Sequence, residues 1–262
     1  MPRPAGLRGM RMPDPSKIHL KFHDYIDHSK LPALPQQYGH VVNNPRVPWG
    51  MLGNNQAGDC VVAGGCHETM IFAMASRRKV PTFRRTWAQN YSEMLVACGD
   101  KPYDPNDDST DVGLDPHAAA GYRRSVGLLD DDGNRHQIDA YALITNINEL
   151  MMATYLFGVA GLGLAIPDSA EKQFESGEVW DDLKSQPHSG HYPPAVGFNS
   201  KGNIVLSTWS DLQAATPDYV ERYWAIGVAY LSKEYMLASG KSPELIDWAA
   251  LEDDLGSVIT MA

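Results

Sequence analysis

The sequence has 262 residues, of which 43% are hydrophobic and 21% charged, and this is enough apolar material for one large domain or two small ones. Its net charge of −10 and mean hydropathy of −0.33 are typical of a globular protein that neither spans a membrane nor binds nucleic acid through a basic surface. The first twenty residues contain no apolar run of the kind found in signal peptides, so we expect the protein in the cytoplasm or within a larger assembly such as a virus particle.

The first 50 residues differ in charge from the rest of the chain. They contain seven Lys or Arg and three Asp, so residues 1–50 carry a net charge of +4 and the remaining residues carry −14. Because prolines in this segment suppress helix formation, we predict an extended basic arm. Opposite charges attract, so the arm is expected to pack on the acidic body or on a neighbouring subunit. The alternative is a loosely ordered surface leader.

Residues 51–262 are predicted to form one domain that begins with a buried helix. A polar, glycine-containing turn precedes a proline-free run from Cys60 to about Lys79, in which apolar residues recur near helical spacing. Asp59 is a residue type that favours the N-cap of a helix, and the basic residues at 77–79 suit the C-terminal end of the helix dipole. The pattern therefore predicts a helix that starts at Cys60.

The remaining patterns place helices early in the domain and strands late. We predict a helical part over about 51–135, a sheet part over about 136–210 and an additional helical segment over about 211–262. Further helices are predicted at 84–98, 116–125, 146–157 and 219–236, a strand at 158–167, and a pair of strands within 192–209. Because helices and strands are segregated, this order indicates an α+β fold and not alternating βαβ units.

Potential metal ligands occur in two places, and neither has the spacing of a known metal site. The acidic loop at 104–111 lacks the alternating ligand register and the bidentate Glu of a calcium loop. Cys66 and His67 are adjacent but have no second pair, unlike the ligands of a zinc site. The chain has three cysteines, an odd number, which favours free thiols in a reducing compartment. We expect no metal ion and no cofactor.

Cys60 has a position that favours reactivity. At a helix N-terminus the dipole and the backbone N–H groups stabilise a thiolate, which is the reactive form of cysteine, and the same groups can face an oxyanion. Most cysteines at helix starts only fill space in the core, so a partner base is required to favour catalysis. Of nine histidines, His191 has the best context because it precedes the predicted strand pair, 131 residues after Cys60. His188 is the alternative base.

Four stretches, in matching order, resemble the papain-like cysteine peptidase family. The family's glycine-x-cysteine helix start has its counterpart in GDCVVAG, and its D-x-G segment with the following helix has one in DVGLDPHAAAGYRRSVGLL. The helix and strand before the histidine resemble ITNINELMMATYLFGVAGLGLAI, and the histidine strand with its return strand resembles HYPPAVGFNSKGNIVLSTW. The resemblance covers roughly residues 50–210. It implies a divergent bacterial or bacteriophage-type member, with a helical half that carries the cysteine and an antiparallel sheet half that carries the histidine.

The resemblance also implies a role for each matching residue. Cys60 would be the nucleophile, His191 the general base and then the general acid, and Trp209 the shield that covers the ion pair between them. Gly58 and Asp59 would form the part of the site that leads into the helix.

Two positions of the family's site carry different residues in this chain. The asparagine that orients the histidine lies two residues before the tryptophan, where this chain has Ser207, whose hydroxyl can accept from an imidazole N–H. The glutamine of the oxyanion hole lies six residues before the cysteine, where this chain has Asn54, and the nearest glutamine, Gln56, is four before it. Either amide can donate to an oxyanion, and the sequence leaves both open.

Two functions follow from these patterns. The first is a thiol hydrolase that cleaves peptide or isopeptide bonds, with a polypeptide as its partner; amide transfer by the same chemistry is not distinguished from hydrolysis. The second is a catalytically weak or inactive papain-like module that acts as a structural or interaction subunit of a larger assembly such as a virus particle. An open cleft beside Cys60 would favour the first, and a cleft filled by residues 1–50 or by side chains would favour the second.

Overall fold

A computed structural model describes residues 9–14, 21–24, 31–41, 47, 49–232 and 235. The α-helices are α1 (Cys60–Ala75), α2 (Trp87–Ala97), α3 (Pro116–Ser125), α4 (Ile147–Phe157), α5 (Ser169–Ser176) and α6 (Pro217–Arg222). The strands are β1 (Leu128–Leu129), β2 (Arg135–His136), β3 (Ala140–Ile144), β4 (Ala160–Ile166), β5 (Ser189–His191), β6 (Ala195–Phe198), β7 (Ile204–Thr208), β8 (Asp211–Ala215) and β9 (Trp224–Leu231). Most of the predicted C-terminal segment after β9 lies outside the described residues. No helix in the described part of the chain is long and apolar enough to cross a membrane.

The helical half is built around α1, which starts at Cys60 as predicted. Fifteen of its sixteen residues are buried, because small and apolar side chains face outward on all sides of the helix. Its polar side chains are hydrogen-bonded: Thr69 Oγ1 donates to the carbonyl of Gly65 at 2.9 Å, and Glu68 pairs with Arg123 of α3. A helix surrounded in this way is held by contacts with both halves of the molecule.

The second half is an antiparallel sheet. Its strand order is β3-β9-β4-β6-β7-β8, and β5 pairs with β4 beside this path. The strand pair predicted within 192–209 corresponds to β6 and β7, in which Phe198 pairs with Ile204. The described fold is therefore α+β, with the helical half and the sheet half that the sequence predicted.

The predicted helix over 219–236 is wrong. The α-helix described there is Pro217–Arg222, and Trp224–Leu231 forms β9 between β3 and β4. The sequence of β9, WAIGVAYL, is a continuous apolar run, and six of its eight residues are buried. The periodicity of such a run does not distinguish a buried strand from a buried helix. The short helix α5 was not predicted from the sequence.

The described parts of the arm contact the body of the same chain. Tyr38 exchanges two backbone hydrogen bonds with Phe198 of β6, at 2.9 and 2.8 Å, and Lys21 forms a parallel bridge with Leu143 of β3. Phe22 is buried and its ring packs edge-on against Phe157 of α4. At these positions the arm lies on the sheet half.

Candidate active site

The loop before Cys60 is fixed by the D-x-G segment. The backbone N–H of Gly58 donates to both carboxylate oxygens of Asp111, each at 2.9 Å. Tyr91 of α2 donates its hydroxyl to Asp111 at 2.7 Å and accepts from the N–H of Gly113 at 2.9 Å. Burial raises the pKa of Tyr91, so this hydroxyl keeps its proton at neutral pH. These bonds hold the start of α1 in place relative to α2.

Asp59 occupies the N-cap position without capping the helix through its side chain. Its carbonyl accepts from the N–H groups of Val62 and Ala63 at 2.8 and 3.0 Å, while its carboxylate accepts from Asn54 Nδ2 at 3.3 Å. Asn54 is buried and lines the pocket that contains Cys60, whereas Gln56 is exposed. Of the two amides predicted for the oxyanion hole, Asn54 lines the pocket and Gln56 does not, and the oxyanion role stays a prediction.

His191 is the last residue of β5 and is buried between the two halves. Its Nε2 atom lies 2.6 Å from Thr208 Oγ1 at the end of β7. A hydroxyl can accept from Nε2–H or donate to a bare Nε2, so Thr208 can hold the ring in either protonation state. The ring of Trp209 stacks on the imidazole, with 4.8 Å between centroids and 20° between planes.

Trp209 reaches His191 because the hairpin between β7 and β8 has an unusual turn. Both turn residues, Trp209 and Ser210, have left-handed φ values of 43° and 72°. This is the two-residue hairpin geometry that glycine and asparagine normally occupy. Any other residue type in this left-handed conformation destabilises the fold by about 1 kcal/mol. The indole also packs against Phe174 and Trp180, at centroid distances of 5.0 and 5.8 Å. These aromatic contacts keep the strained turn in a form that covers His191.

Ser207 bonds to a second histidine of the pocket. Its hydroxyl lies 3.0 Å from His67 Nδ1, while His67 Nε2 lies 3.2 and 3.1 Å from the carbonyls of Trp49 and Gly50. Carbonyls only accept, so Nε2 carries the proton and Ser207 donates to Nδ1. Burial lowers the pKa of His67 to about 4, which keeps its ring neutral. Thr208, and not Ser207, contacts His191 Nε2 in the structure. That Ser207 orients the His191 ring stays a prediction.

Five of the eight residues proposed from the sequence line one small pocket that is partly open to solvent and has a cavity volume of about 10 Å³, whereas Gln56, Gly58 and Asp59 are not in its lining. Its lining includes Asn54, Cys60, His191, Ser207 and Trp209, together with His67 and Thr208, which were not proposed for catalysis. His67 lies seven residues after Cys60, which places it two helical turns along the same face of α1. This spacing is the sequence pattern from which the presence of His67 in the pocket could have been predicted. His188, the alternative base, is outside the lining and has a side chain that is 69% exposed.

Close packing of the two halves brings His191 to the start of α1. A Cβ atom on Gly64 would lie 2.5 Å from Tyr192 Cδ1 and 2.9 Å from the Tyr192 carbonyl. Only glycine allows this approach, and Tyr192 directly follows His191. The missing side chain of Gly64, one turn after Cys60, therefore permits the strand that carries His191 to lie against the helix that carries Cys60.

A buried polar cluster lies behind this contact. The hydroxyl of Tyr192 donates to Glu68 at 3.1 Å and lies 2.7 Å from the hydroxyl of Tyr230 in β9. Glu68 is paired with Arg123, whose guanidinium lies 4.5 Å from the Tyr230 ring centroid. Burial raises the pKa of the Glu68 carboxyl, and the charge of Arg123 opposes that shift. The cluster joins α1 and α3 to the sheet.

No group of three or more His, Cys, Asp or Glu side chains in the described residues is arranged to hold a metal ion. What the pocket does contain is a thiol, an imidazole held by a hydroxyl, and an amide beside a helix N-terminus. These are the groups needed for acyl transfer through a thioester.

Comparison with solved structures identifies the fold. Xylellain, a cysteine protease from Xylella fastidiosa, matches with a TM-score of 0.62 and 11% identity over 88% of this chain and 98% of its own. Procathepsin B S9 from Trypanosoma congolense matches with a TM-score of 0.61 and 11% identity, and the match covers 87% of each chain. The digestive procathepsin L 3 of the Tenebrio molitor larval midgut matches with a TM-score of 0.59 and 13% identity over 86% of this chain and 75% of its own. No family model and no curated protein matches the sequence. Identities this low establish the fold alone: over most of its length, the chain has the fold of the papain-like cysteine proteases.

Proposed function

We propose that the chain is a thiol hydrolase that cleaves peptide or isopeptide bonds through Cys60 and His191. The observation that carries this proposal is the shared pocket, in which Cys60 at a helix N-terminus, His191 and Asn54 line one space. The similarity in fold to cysteine proteases supports it. By the resemblance in sequence, Cys60 and His191 stand at the family's nucleophile and base positions, and Asn54 stands where the family has its oxyanion glutamine.

The reaction proceeds in two acyl-transfer steps. Cys60 transfers its proton to His191 and attacks the substrate carbonyl carbon, and the resulting oxyanion accepts from the Cys60 N–H and the Asn54 amide. When the C–N bond breaks, His191 gives the proton to the leaving amine and a thioester remains. A water molecule, deprotonated by His191, then attacks the thioester, which releases the carboxylate product and the free thiol.

Thr208 and Trp209 are proposed to keep His191 ready for these proton transfers. The Thr208 hydroxyl fixes the ring orientation through Nε2, which leaves Nδ1 for the exchange with Cys60. The stacked Trp209 ring excludes water from one face of the imidazole, and this strengthens its attraction to a thiolate.

The direct test is hydrolysis of a mixed peptide and isopeptide library by the full chain, with products identified by mass spectrometry. We expect Cys60→Ala to abolish turnover and to leave the free energy of unfolding nearly unchanged. Cys98→Ala is the matched control, since Cys98 lies at the end of α2 and outside the pocket, and it should retain full activity. Full activity in Cys60→Ala would refute the proposal.

A second candidate is a papain-like module that is retained as a structural or interaction subunit. Two observations favour it: Cys60 is only 1% exposed, and part of the basic arm lies between the two halves beside the site. Such a module would bind a protein partner without turnover, and no tested substrate would be cleaved even after the cleft is opened.

A further inference from the structure

Three residues of α1 form a stripe that faces the sheet half. Cys60, Gly64 and His67 are spaced i, i+4 and i+7, so they lie on one side of the helix, and all three line the pocket. At a rise of about 1.5 Å per residue, His67 lies about 10 Å along the helix axis from Cys60. The stripe starts at the proposed nucleophile and ends at a histidine that the proposed reaction does not use.

The stripe touches the sheet half at two points. At Gly64 the helix packs against Tyr192, the residue that follows the proposed base. At the far end, His67 Nδ1 accepts from the hydroxyl of Ser207, the residue that precedes Thr208, at 3.0 Å. Because the Thr208 hydroxyl holds the base, α1 contacts a neighbour of each partner in that hydrogen bond.

The imidazole of His67 is also fixed on the side away from Ser207. Its Nε2–H donates to the carbonyls of Trp49 and Gly50 at 3.2 and 3.1 Å, and the Trp49 indole packs edge-on against the ring with 5.1 Å between centroids. Gly50 has a left-handed φ of 67°, which lets these two consecutive carbonyls face the same nitrogen. Burial holds the pKa of His67 at about 4, so one nitrogen donates and the other accepts at neutral pH.

Ser207 carries this contact into the sheet half. Its side chain bonds to α1, while its backbone N–H donates to the carbonyl of Pro194 at 3.0 Å, three residues after His191. Ser207 and His67 are 1% and 3% exposed, so water does not compete for the bond between them. A shift of β7 along α1 would break this bond and would move Thr208 with the strand.

An apolar side chain would fill the position of His67 without any polar requirement. Fifteen of the sixteen residues of α1 are buried, and most of them are small or apolar. Apolar contacts are non-directional, whereas a hydrogen bond weakens steeply when its angle changes, so the imidazole fixes β7 at one place along the helix. The direction of this contact, and not burial, explains a histidine here.

We infer that His67 is a positioning residue for the Cys60–His191 pair. Through Ser207 it holds β7, and with β7 the Thr208 hydroxyl, at a fixed place relative to the N-terminus of α1. The inference rests on the proposed function, because it concerns the same thiol and imidazole, but the position of the imidazole is measurable without turnover.

Peptide hydrolysis by full-chain variants gives the kinetic test. His67→Leu removes both hydrogen-bonding nitrogens and should lower kcat about tenfold with little change in KM, because the proposed reaction places no substrate atom at His67. His67→Gln supplies a donor and an acceptor and should recover most of the lost activity. His117→Leu is the matched control: it makes the same change in α3, outside the pocket, and should retain full activity.

A double-mutant cycle tests whether His67 acts through Ser207. If the two residues act through their shared hydrogen bond, Ser207→Ala should lower kcat when made alone but should lower it no further in the His67→Leu background. Effects that multiply in the double variant would contradict the route through β7.

A second measurement needs no substrate. The Trp209 indole stacks on the His191 ring at 4.8 Å, so its ring current shifts the proton NMR signals of that imidazole, which are assigned by their loss in His191→Ala. Trp209 directly follows β7, so a displaced strand changes the stacking. In His67→Leu we expect these signals to move towards those of a solvent-exposed histidine, and in His67→Gln and His117→Leu we expect them to stay in place.

The two proposals fail in different ways. If the unmodified chain hydrolyses no peptide, the hydrolase is refuted and the NMR signals decide the role of His67. Ser207→Ala removes the same hydrogen bond with a smaller change, so it replaces His67→Leu if that variant does not fold. Unchanged His191 signals in whichever of these variants fold, or an unchanged kcat in His67→Leu, would overturn the positioning role.

Discussion

At the scale of single residues, the hydroxyl-rich end of β7 replaces the carboxamide that the resemblance implies. Ser207 stands at the asparagine position but donates to His67, and the neighbouring Thr208 contacts His191 at 2.6 Å. Successive residues of a strand point to opposite faces, yet this strand ends in the strained turn at Trp209, where the alternation breaks down. Each of the two hydroxyl side chains thus contacts a different histidine: Ser207 contacts His67, and Thr208 contacts His191.

We predict that Thr208→Val lowers kcat/KM for peptide hydrolysis about tenfold, the rate equivalent of one positioned hydrogen bond. Valine keeps the shape of threonine and removes only the acceptor for His191 Nε2–H. Ser207→Ala should lower kcat/KM less, because it removes a hydrogen bond to His67 and leaves the contact between Thr208 and His191 intact. A larger loss of kcat/KM in Ser207→Ala than in Thr208→Val would show that Ser207, and not Thr208, orients the His191 ring.

At the scale of elements, α1 contains two adjacent glycines in different surroundings. Glycine in a helix interior normally costs about 1 kcal/mol relative to alanine. A Cβ atom on Gly64 would clash with Tyr192, whereas one on Gly65 would meet Arg123 and Leu128 at 3.4 Å, an ordinary contact distance. Gly64 is therefore required by packing, and Gly65 is not.

This difference predicts opposite outcomes for the same substitution at neighbouring positions. Gly64→Ala should destabilise the protein by about 1–3 kcal/mol, because the added methyl group forces Tyr192 and the adjoining His191 away from α1. Gly65→Ala should be neutral or should stabilise by up to about 1 kcal/mol. Urea unfolding measures both, and alkylation kinetics at Cys60 report whether the His191 strand has moved. Equal effects at the two positions would show that Gly64 does not set the distance between the halves.

The sequence predicts those parts of the fold that depend on local pattern. The start of α1 at Cys60 follows from the polar turn and the apolar run, which are both local, whereas the predicted capping by the Asp59 side chain does not occur because that carboxylate accepts from Asn54. The strand β9 was not predictable in this way, because its apolar run becomes a strand only by pairing with β3 and β4. The contacts of His67 and Thr208 likewise depend on residues more than a hundred positions away or on a strained turn, and sequence spacing does not encode either.

At the scale of the whole molecule, the two halves are joined by buried polar groups as well as by apolar packing. Glu68 and Arg123 are 0% and 3% exposed, and on the sheet side Tyr192 donates to Glu68 and lies within hydrogen-bond distance of Tyr230. Both charged residues belong to the helical half, so the contacts that cross between the halves here are the Tyr192–Glu68 hydrogen bond and the packing of the Arg123 guanidinium on the Tyr230 ring. These contacts add directional polar interactions to the apolar packing behind the active site.

The buried His67 makes the stability of the whole molecule depend on pH. Its pKa is about 4 in the folded protein and about 6.5 in the unfolded chain, because burial disfavours the charged ring. Below pH 6.5 the unfolded chain binds a proton at His67 that the folded protein does not bind, so stability falls as the pH drops from 6.5 towards 4. Between pH 7 and pH 5 this residue alone should lower the free energy of unfolding by about 2 kcal/mol.

His67→Gln isolates this contribution, because glutamine keeps a donor for the Trp49 and Gly50 carbonyls and an acceptor for Ser207 but does not titrate. Urea unfolding at pH 7 and pH 5 measures the change for both proteins, and other titrating groups, Glu68 among them, contribute equally to each. We expect the loss of stability between the two pH values to be about 2 kcal/mol smaller in His67→Gln. If both proteins lose the same amount, His67 is charged in the folded state, its Nδ1 carries a proton, and Ser207 must accept from that nitrogen.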